Sequence, residues 1–390
     1  MYKIKERLDL GKLVTFIPNK NLPIYSWLYF KEGFSRDFVF LILDEFHAKE
    51  NHIILDPFCG CGTTLLACKQ RGINAIGFDV LPIAVFSSRV KIRDYETEEL
   101  KLYAKEILNK KFKRYEIPKR FLKYFSKYIL EDIIFFKNEI NKIEDEKIRD
   151  FMLLALINAS MKCSYVFKDG GVLKIKKRNV APLREMLKRQ IYKMIKDLSN
   201  FEKKKCEIFV DFGDARNLKV DNESIDFIIT SPPYLNKIEY TKVYEIEEEL
   251  FLSEKAKPGI RSFIEKETKN AIILKDVENA LNKSLLEKIS RYPNAIAYAN
   301  DIYLSIKEMY RVCKNYSLAA IVIGDGVFVE DNVIIEADKL LADIASFCGF
   351  DVKEIVVVNK RFYTTPKRIK KGIIKEYIII LKKLDKTAKT

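Results

Sequence analysis

Ile53-Ile54-Leu55-Asp56-Pro57-Phe58-Cys59-Gly60-Cys61-Gly62-Thr63-Thr64 is the stretch from which the fold can be read. An apolar run ends in an acid, two glycines follow, and a helical pattern continues from Leu65 to Arg71. This is strand, tight turn, helix. Glycines at 60 and 62 let the backbone approach a ligand closely, and the new helix turns its unpaired N–H groups toward that ligand. Further on, Ala75-Ile76-Gly77-Phe78-Asp79 reads as a second strand ending in a carboxylate. An acid about 20 residues past the glycines is placed to accept ribose hydroxyls in nucleotide-binding α/β folds. Asp79 also suits the N-cap of a helix beginning near Pro82, and both roles can hold together. A triphosphate-binding turn would carry a lysine where Thr63-Thr64 stands, so the turn fits a cofactor without phosphates better.

A second stretch has the same strand-then-turn character. Ile225-Asp226-Phe227-Ile228-Ile229 reads as a buried parallel strand, and Thr230-Ser231-Pro232-Pro233-Tyr234 follows it. The two prolines cannot donate backbone hydrogen bonds and they hold the chain extended. The Ser231 and Pro232 carbonyls are left as fixed acceptors beside a polar side chain and an aromatic ring. Such a turn can hold an amino group and stack a flat ring. The plain alternative is a loop closing a strand against an apolar lid.

Around these stretches the chain alternates strands and helices with one long interruption. Ser35 is a candidate N-cap for a helix through Phe38, Leu41, Ile42 and Phe46. Cys206 to Val210 reads as a strand, closed by Gly213-Asp214-Ala215-Arg216. Lys242 to Leu252 reads as an acidic helix, residues 297–312 and 333–348 as helices, and Ser317–Ile323, Val352–Val358 and Lys375–Leu381 as strands. Residues 90–205 read as mostly helical, with a hairpin or loop at Lys168-Asp169-Gly170-Gly171. That segment interleaves lysines and arginines with aromatics (Arg120, Phe121, Lys123, Tyr124) and carries Lys174, Lys176, Lys177 and Arg178 after the loop. A basic face with aromatics suits phosphate contact and base stacking, and a solvated helical insertion is its plain alternative.

The division expected is a cofactor-binding catalytic domain from 1–91 and 206–390, a helical insertion over 92–205 as the candidate target-recognition region, and a second insertion or loop over 253–295.

Composition bounds the partner. The 390 residues carry 70 Lys and Arg against 55 Asp and Glu, a formal charge of +15 that suits a polyanion. The seven cysteines form no CxxC pair and there are only two histidines, so neither a zinc site nor a disulfide framework is expected, and no metal. The N-terminus lacks a signal-peptide core and no apolar run reaches the ~18 residues of a membrane span. A cytoplasmic protein without membrane contact is expected.

The two stretches together resemble the S-adenosylmethionine-dependent amino-methyltransferases, the DNA methylases of cytosine N4 and adenine N6. Asp56 to Thr63 is similar to the family's cofactor motif, and Thr230 to Tyr234 is similar to its catalytic motif. Lys31 to Asp37 resembles the motif that precedes the glycine loop. The resemblance covers roughly residues 25–95 and 205–385. It implies an α/β fold with a Rossmann-like methyltransferase sheet, seven-stranded and mostly parallel with an antiparallel last strand, plus the helical insertion.

The resemblance also implies roles. Asp56, Phe58, Gly60, Gly62 and Thr63, with Lys31, Phe34 and Ser35, would surround the methionine part of the cofactor. Asp79 would take the ribose hydroxyls, and Asp214 with Ala215 the adenine. Ser231, Pro232 and Pro233 would hold the target amine and Tyr234 would stack on a flipped base. S-adenosylhomocysteine would be the product. Two acceptors aimed at an aromatic amine favour a pyramidal nitrogen and free its lone pair for the sulfonium methyl. The base must leave the stack to reach them.

Cytosine C5 methylases need a nucleophilic cysteine after a proline, and no Pro-Cys pair occurs here. Serine before Pro-Pro is more typical of cytosine-N4 enzymes and Asp or Asn of adenine-N6 enzymes. The expected substrate is therefore double-stranded DNA at cytosine N4, within a restriction–modification system that has a cognate endonuclease. The alternatives are adenine N6, an RNA guanine-N2 methylase, and a non-catalytic nucleic-acid binder that senses the cofactor.

Overall fold

The computed structural model describes residues 2–169, 172–235, 240–252, 270–364 and 370–385. The Gly170-Gly171 tip, residues 253–269 of the second insertion and the end of the basic tail lie outside the described residues.

Eight strands form the main sheet. In spatial order they are Ile4–Glu6, Phe350–Thr364, Lys370–Lys383, Cys313–Gly324, Ile225–Thr230, Ile53–Asp56, Asn74–Asp79 and Ile208–Phe212. Lys370–Lys383 runs antiparallel to both its neighbours, and the other pairings are parallel. The seven expected strands are present with the last one antiparallel. The eighth, Ile4–Glu6, joins the outer edge with Ile4 opposite Ile355. All three of its residues are exposed, so no apolar alternation marks it in the sequence.

The central strands are apolar on both faces because helices cover both. Ile54 and Ile229 turn to a layer containing Phe38, Ile42, Leu65 and Cys68 from helices Arg36–Glu45 and Thr63–Arg71. Leu55 and Ile228 turn the other way, to Ile302, Ile306, Leu340 and Ile344 from helices Pro293–Val312 and Ala337–Cys348. Leu55 pairs with Ile228 on one side and Ile76 on the other. This register brings the strand ends Asp56, Asp79 and Thr230 to the same sheet edge. The strand order also reverses beside Ile53–Asp56, which opens a crevice at the carboxyl ends.

Helices Thr97–Asn109, Lys127–Ile140, Glu146–Lys162 and Leu183–Ser199 pack around Phe125, Phe136, Phe151, Leu154, Leu187 and Ile191. They share one core with Trp27 and Phe30 near the N-terminus and with Ile83 and Val90 of helix Pro82–Ile92. Trp27 Nε1 donates to Asp197 at 2.9 Å, and Asn158 Nδ2 donates to the Trp27 carbonyl at 2.7 Å. The helical segment is thus fastened to the N-terminal residues by a shared core. Strands Val166–Asp169 and Val172–Ile175 form an antiparallel hairpin within it.

Two helices differ from their sequence reading. The one expected over 333–348 starts at Ala337, because Val333–Ile335 pairs antiparallel with Gly326–Phe328. Three consecutive β-branched residues favour that pairing over a helical turn. The acidic segment expected as one helix from Lys242 to Leu252 is broken into Tyr240–Val243, Glu245–Glu247 and a π-helical turn over Glu248–Leu252. Glu247 and Glu248 are buried there, and Glu248 accepts from the Ile83 N–H at 3.4 Å. No described helix is long and apolar enough to cross a membrane.

Candidate active site

The site begins where the Ile53–Asp56 strand ends. Asp56 is 1% exposed. Its Oδ1 accepts from Thr230 Oγ1 at 2.7 Å and the Phe58 N–H at 3.2 Å, and its Oδ2 accepts from Thr64 Oγ1 at 2.6 Å. The carboxylate therefore joins the glycine loop, the helix after it and the strand that precedes Ser231. Burial pushes its carboxyl up to about 6, against the hydrogen bonds from Thr230 and Thr64.

Asp79 organises the loop from the next strand. Its Oδ2 accepts from the Gly60 N–H at 2.8 Å and its Oδ1 from the Leu81 N–H at 2.9 Å. One carboxylate thus shapes the glycine turn and the approach to helix Pro82–Ile92. Gly60 has φ +51°, and a Cβ there would lie 2.9 Å from Phe30 Cε1, so the ring closes over bare backbone. The loop is also held from below. Ser88 Oγ donates to the Gly60 carbonyl at 3.0 Å and the buried Lys91 Nζ donates to the Cys61 carbonyl at 3.1 Å.

A cavity of about 1020 Å³, with the open space at its mouth included, lies against these groups. Among the expected residues, Phe34, Asp56, Phe58, Gly60, Thr63 and Asp79 line it. So do Asp214, Ala215, Ser231, Pro232 and Pro233. The glycine loop and the Ser231–Pro233 turn thus share one cavity.

Four residues expected at the cofactor or the target base do not line it. Lys31 is exposed. Ser35 is buried and caps helix Arg36–Glu45 by accepting from the Phe38 N–H at 3.2 Å. Gly62 precedes helix Thr63–Arg71. Tyr234 is 9% exposed and packs into the core beside Gly324, where a Cβ would lie 2.7 Å from Tyr234 Cε2.

Lys174, Lys176, Lys177 and Arg178 are exposed, away from this cavity, on and beyond the second hairpin strand. That strand packs beside Tyr240–Val243, a short helix that follows the Ser231–Pro233 turn in the chain. Arg178 donates to the carbonyls of Ser164 at 3.1 Å and Lys162 at 3.0 Å and covers the Phe167 ring.

Other lining residues carry no sequence signal of their own. Arg216 donates to Asp214 Oδ2 at 2.7 Å and to Asp301 Oδ1 at 2.8 Å, 85 residues away. The neighbouring Asp214 holds the guanidinium above its usual range. Phe30 stacks on Tyr244 with centroids 5.0 Å apart and planes 6° from parallel. Glu32 lines the cavity, and its Oε2 accepts from Tyr244 OH at 2.7 Å. Their positions depend on segments far apart in the chain, and no spacing rule reaches them.

The donor set suits S-adenosylmethionine. Glu32, Asp56, Asp79, Asp214 and Asp301 put five carboxylates around a cavity that also presents Phe30, Phe58 and Leu81. A cation with a ribose diol and an amino-bearing flat ring matches such a lining, and a polyphosphate does not.

Comparison with known proteins agrees with this chemistry. The family described as DNA methylase matches residues 30–85, the span from Phe30 through the glycine loop to Asp79 and beyond. The type II methyltransferase M.BsoBI of Geobacillus stearothermophilus is 27% identical over 90% of this chain and 83% of its own length. The type II methyltransferase M.AvaI of Nostoc sp. is 28% identical over 89% of this chain and 83% of its own. Among solved structures, a SAM-dependent methyltransferase from Methanosarcina mazei aligns with 88% of this chain and 97% of its own at 10% identity, with a TM-score of 0.33. With the family match falling on the glycine loop and the relatives aligning along nearly the whole chain, the protein is a methyltransferase that resembles the S-adenosylmethionine-dependent DNA amino-methyltransferases.

Proposed function

We propose that the protein methylates the exocyclic N4 of cytosine in double-stranded DNA, at a specific sequence, with the base flipped out of the helix. The observation that carries this reading is the placement of Ser231 and Pro232 in the same cavity as Asp56, Gly60 and Asp79. S-adenosylmethionine supplies an electrophilic methyl group when bound. Glu32, Phe34, Asp56, Phe58 and Thr63 would hold its methionine part, Asp79 its ribose, and the Asp214–Arg216 region its adenine.

The work left to the chain is acceptance and alignment. Ser231 Oγ and the Pro232 carbonyl accept the two hydrogens of the target amine, so the nitrogen lone pair is released from the ring and turned to the methyl group. The Ser231 side chain is the residue that favours cytosine over adenine. Tyr234 lies in the core beside Gly324, and the proposed stacking on the base requires its ring to turn toward the cavity mouth.

The helical segment 92–205 is proposed to read the target. Lys174 lies on its second hairpin strand, which packs beside Tyr240–Val243, and Lys176 and Lys177 follow that strand. Since M.BsoBI and M.AvaI are named type II methyltransferases, a cognate restriction endonuclease is the proposed functional partner.

The test is methyl transfer in vitro from labelled cofactor to duplex DNA and to transfer RNA, with digestion to nucleosides. N4-methylcytosine from DNA supports the proposal. N6-methyladenine replaces the base assignment, and label in RNA alone replaces the substrate.

A further inference from the structure

Five carboxylates line the cavity, and four have both oxygens engaged or a charged partner. Asp56 takes Thr230, Thr64 and Phe58. Asp79 takes Gly60 and Leu81. Asp214 and Asp301 are ion-paired with Arg216. Glu32 differs. Its Oε2 accepts from Tyr244 OH, while its Oε1 is buried and has no hydrogen-bond partner among the described residues. A buried carboxylate oxygen left unsatisfied is costly, and it persists where a ligand completes it.

The place of Glu32 says which part of a ligand it meets. Phe30 lies over Gly60, and the Phe34 carbonyl and Thr63 are both within reach of Asn19 Nδ2, at 3.1 Å and 3.5 Å. The Phe30–Phe34 stretch is therefore at the glycine-loop end of the cavity. Asp214, Arg216 and Asp301 form a separate ion-paired group, next to the strand end where the Gly213 N–H donates to the Asp79 carbonyl at 3.2 Å. Bound with its adenine toward Asp214, S-adenosylmethionine turns its amino-acid end toward Glu32. That end carries an α-ammonium group with three donors and a full positive charge.

We propose that Glu32 is the acceptor for the α-ammonium group of the cofactor, with Tyr244 fixing the carboxylate in place. This rests on the cofactor and its orientation as read above. Tyr244 lies beyond the catalytic turn in sequence and stacks on Phe30. The Glu32–Tyr244 contact therefore joins the amino-acid end of the cofactor site to the chain that leaves Tyr234.

Calorimetry on the full chain tests this. The probes are S-adenosylhomocysteine and its deaminated analogue, in which hydrogen replaces the α-ammonium group. A charge-assisted hydrogen bond of this kind makes wild type prefer S-adenosylhomocysteine by about ten- to hundredfold. Glu32→Gln cuts that ratio by about tenfold and leaves affinity for the analogue nearly unchanged, since only the charge is lost. Glu32→Met, which has no acceptor, abolishes the preference. Thermal unfolding of each variant identifies any that fails to fold, and such a variant binds neither probe. A folded Glu32→Gln or Glu32→Met protein that keeps the wild-type ratio overturns the assignment. Failure of wild type to bind S-adenosylhomocysteine overturns the cofactor reading beneath it.

Discussion

Thr230 Oγ1 donates to Asp56 Oδ1 at 2.7 Å, across 174 residues of sequence. One hydrogen bond thus connects the strand end that bears the glycine loop to the strand end that bears Ser231. It fixes the glycine loop relative to the Ser231 turn, as the proposed alignment of methyl donor and amine requires. Thr230→Val keeps the shape and removes the donor. It is expected to cost about 1–3 kcal/mol of stability, because a buried carboxylate is left with one donor fewer. Methyl transfer should fall further than cofactor affinity. Denaturant unfolding and single-turnover transfer measure the two effects.

The same carboxylate sets a pH dependence. The carboxyl of Asp56 sits at about 6 in the folded chain, against about 3.9 when unfolded. Between these values the folded state holds a proton that the unfolded state has released. This contribution to stability is full below about 4 and is lost as pH rises through about 6. Asp325, also raised to about 6 by burial, acts in the same direction. Asp56→Asn cannot titrate, so its stability relative to wild type should improve as pH rises from about 4 to about 6 and then stay level. A cationic cofactor favours the carboxylate. Its binding near pH 5.5 should therefore release protons, which calorimetry in buffers of different ionisation enthalpy detects.

Gly324 sets the position of the Tyr234 ring. A Cβ there would lie 2.7 Å from Tyr234 Cε2 and 3.2 Å from Glu376 Cγ. Gly324→Ala must displace the ring or the strand, at a cost of about 1–3 kcal/mol typical of overpacking. Transfer should slow while cofactor affinity stays within about threefold, since a Cβ at Gly324 would meet Tyr234 and Glu376 first. Comparing kcat with the dissociation constant for S-adenosylhomocysteine checks this.

Much of this site is legible in the chain because its signals are local. Asp56, Asp79 and Asp214 each follow an apolar strand run, and the two glycines between strand and helix announce a ligand turn. Pro232-Pro233 marks the second turn in the same way. Other parts are invisible there because tertiary contact creates them. Arg216 meets Asp301 from a helix 85 residues on, and Glu32 meets Tyr244 across 212 residues. Tyr234 reads as a free ring, yet the bare backbone of Gly324 gives it a core pocket. The strand Ile4–Glu6 has three exposed residues, too few to show a period. A helix read over 333–348 runs too far because Val333–Ile335 is apolar and its hairpin partner Gly326–Phe328 is only three residues long.

The hairpin supplies a test of DNA binding apart from catalysis. Arg178 is held by two backbone carbonyls and over Phe167, so its reversal would disturb the fold as well as the charge. Lys174, Lys176 and Lys177 are exposed and are the better targets. Changing all three to glutamate should weaken duplex binding and lower the slope of log affinity against log salt by about 0.9 for each phosphate no longer neutralised. Cofactor affinity should not change. Titrations of labelled duplex at several salt concentrations measure the slope, and unchanged affinity would place the DNA on another surface.

The central claim is that the Ser231 turn and the glycine loop together methylate an amino group of a DNA base. Its most direct test is base-resolved mapping of modified DNA from cells expressing wild type or Ser231→Ala, in a host without other methylation. Wild type should place N4-methylcytosine at one recurring sequence, and Ser231→Ala should leave that sequence unmodified or nearly so. DNA that stays unmodified in the presence of folded, cofactor-binding wild type, or full modification by Ser231→Ala, would contradict the claim.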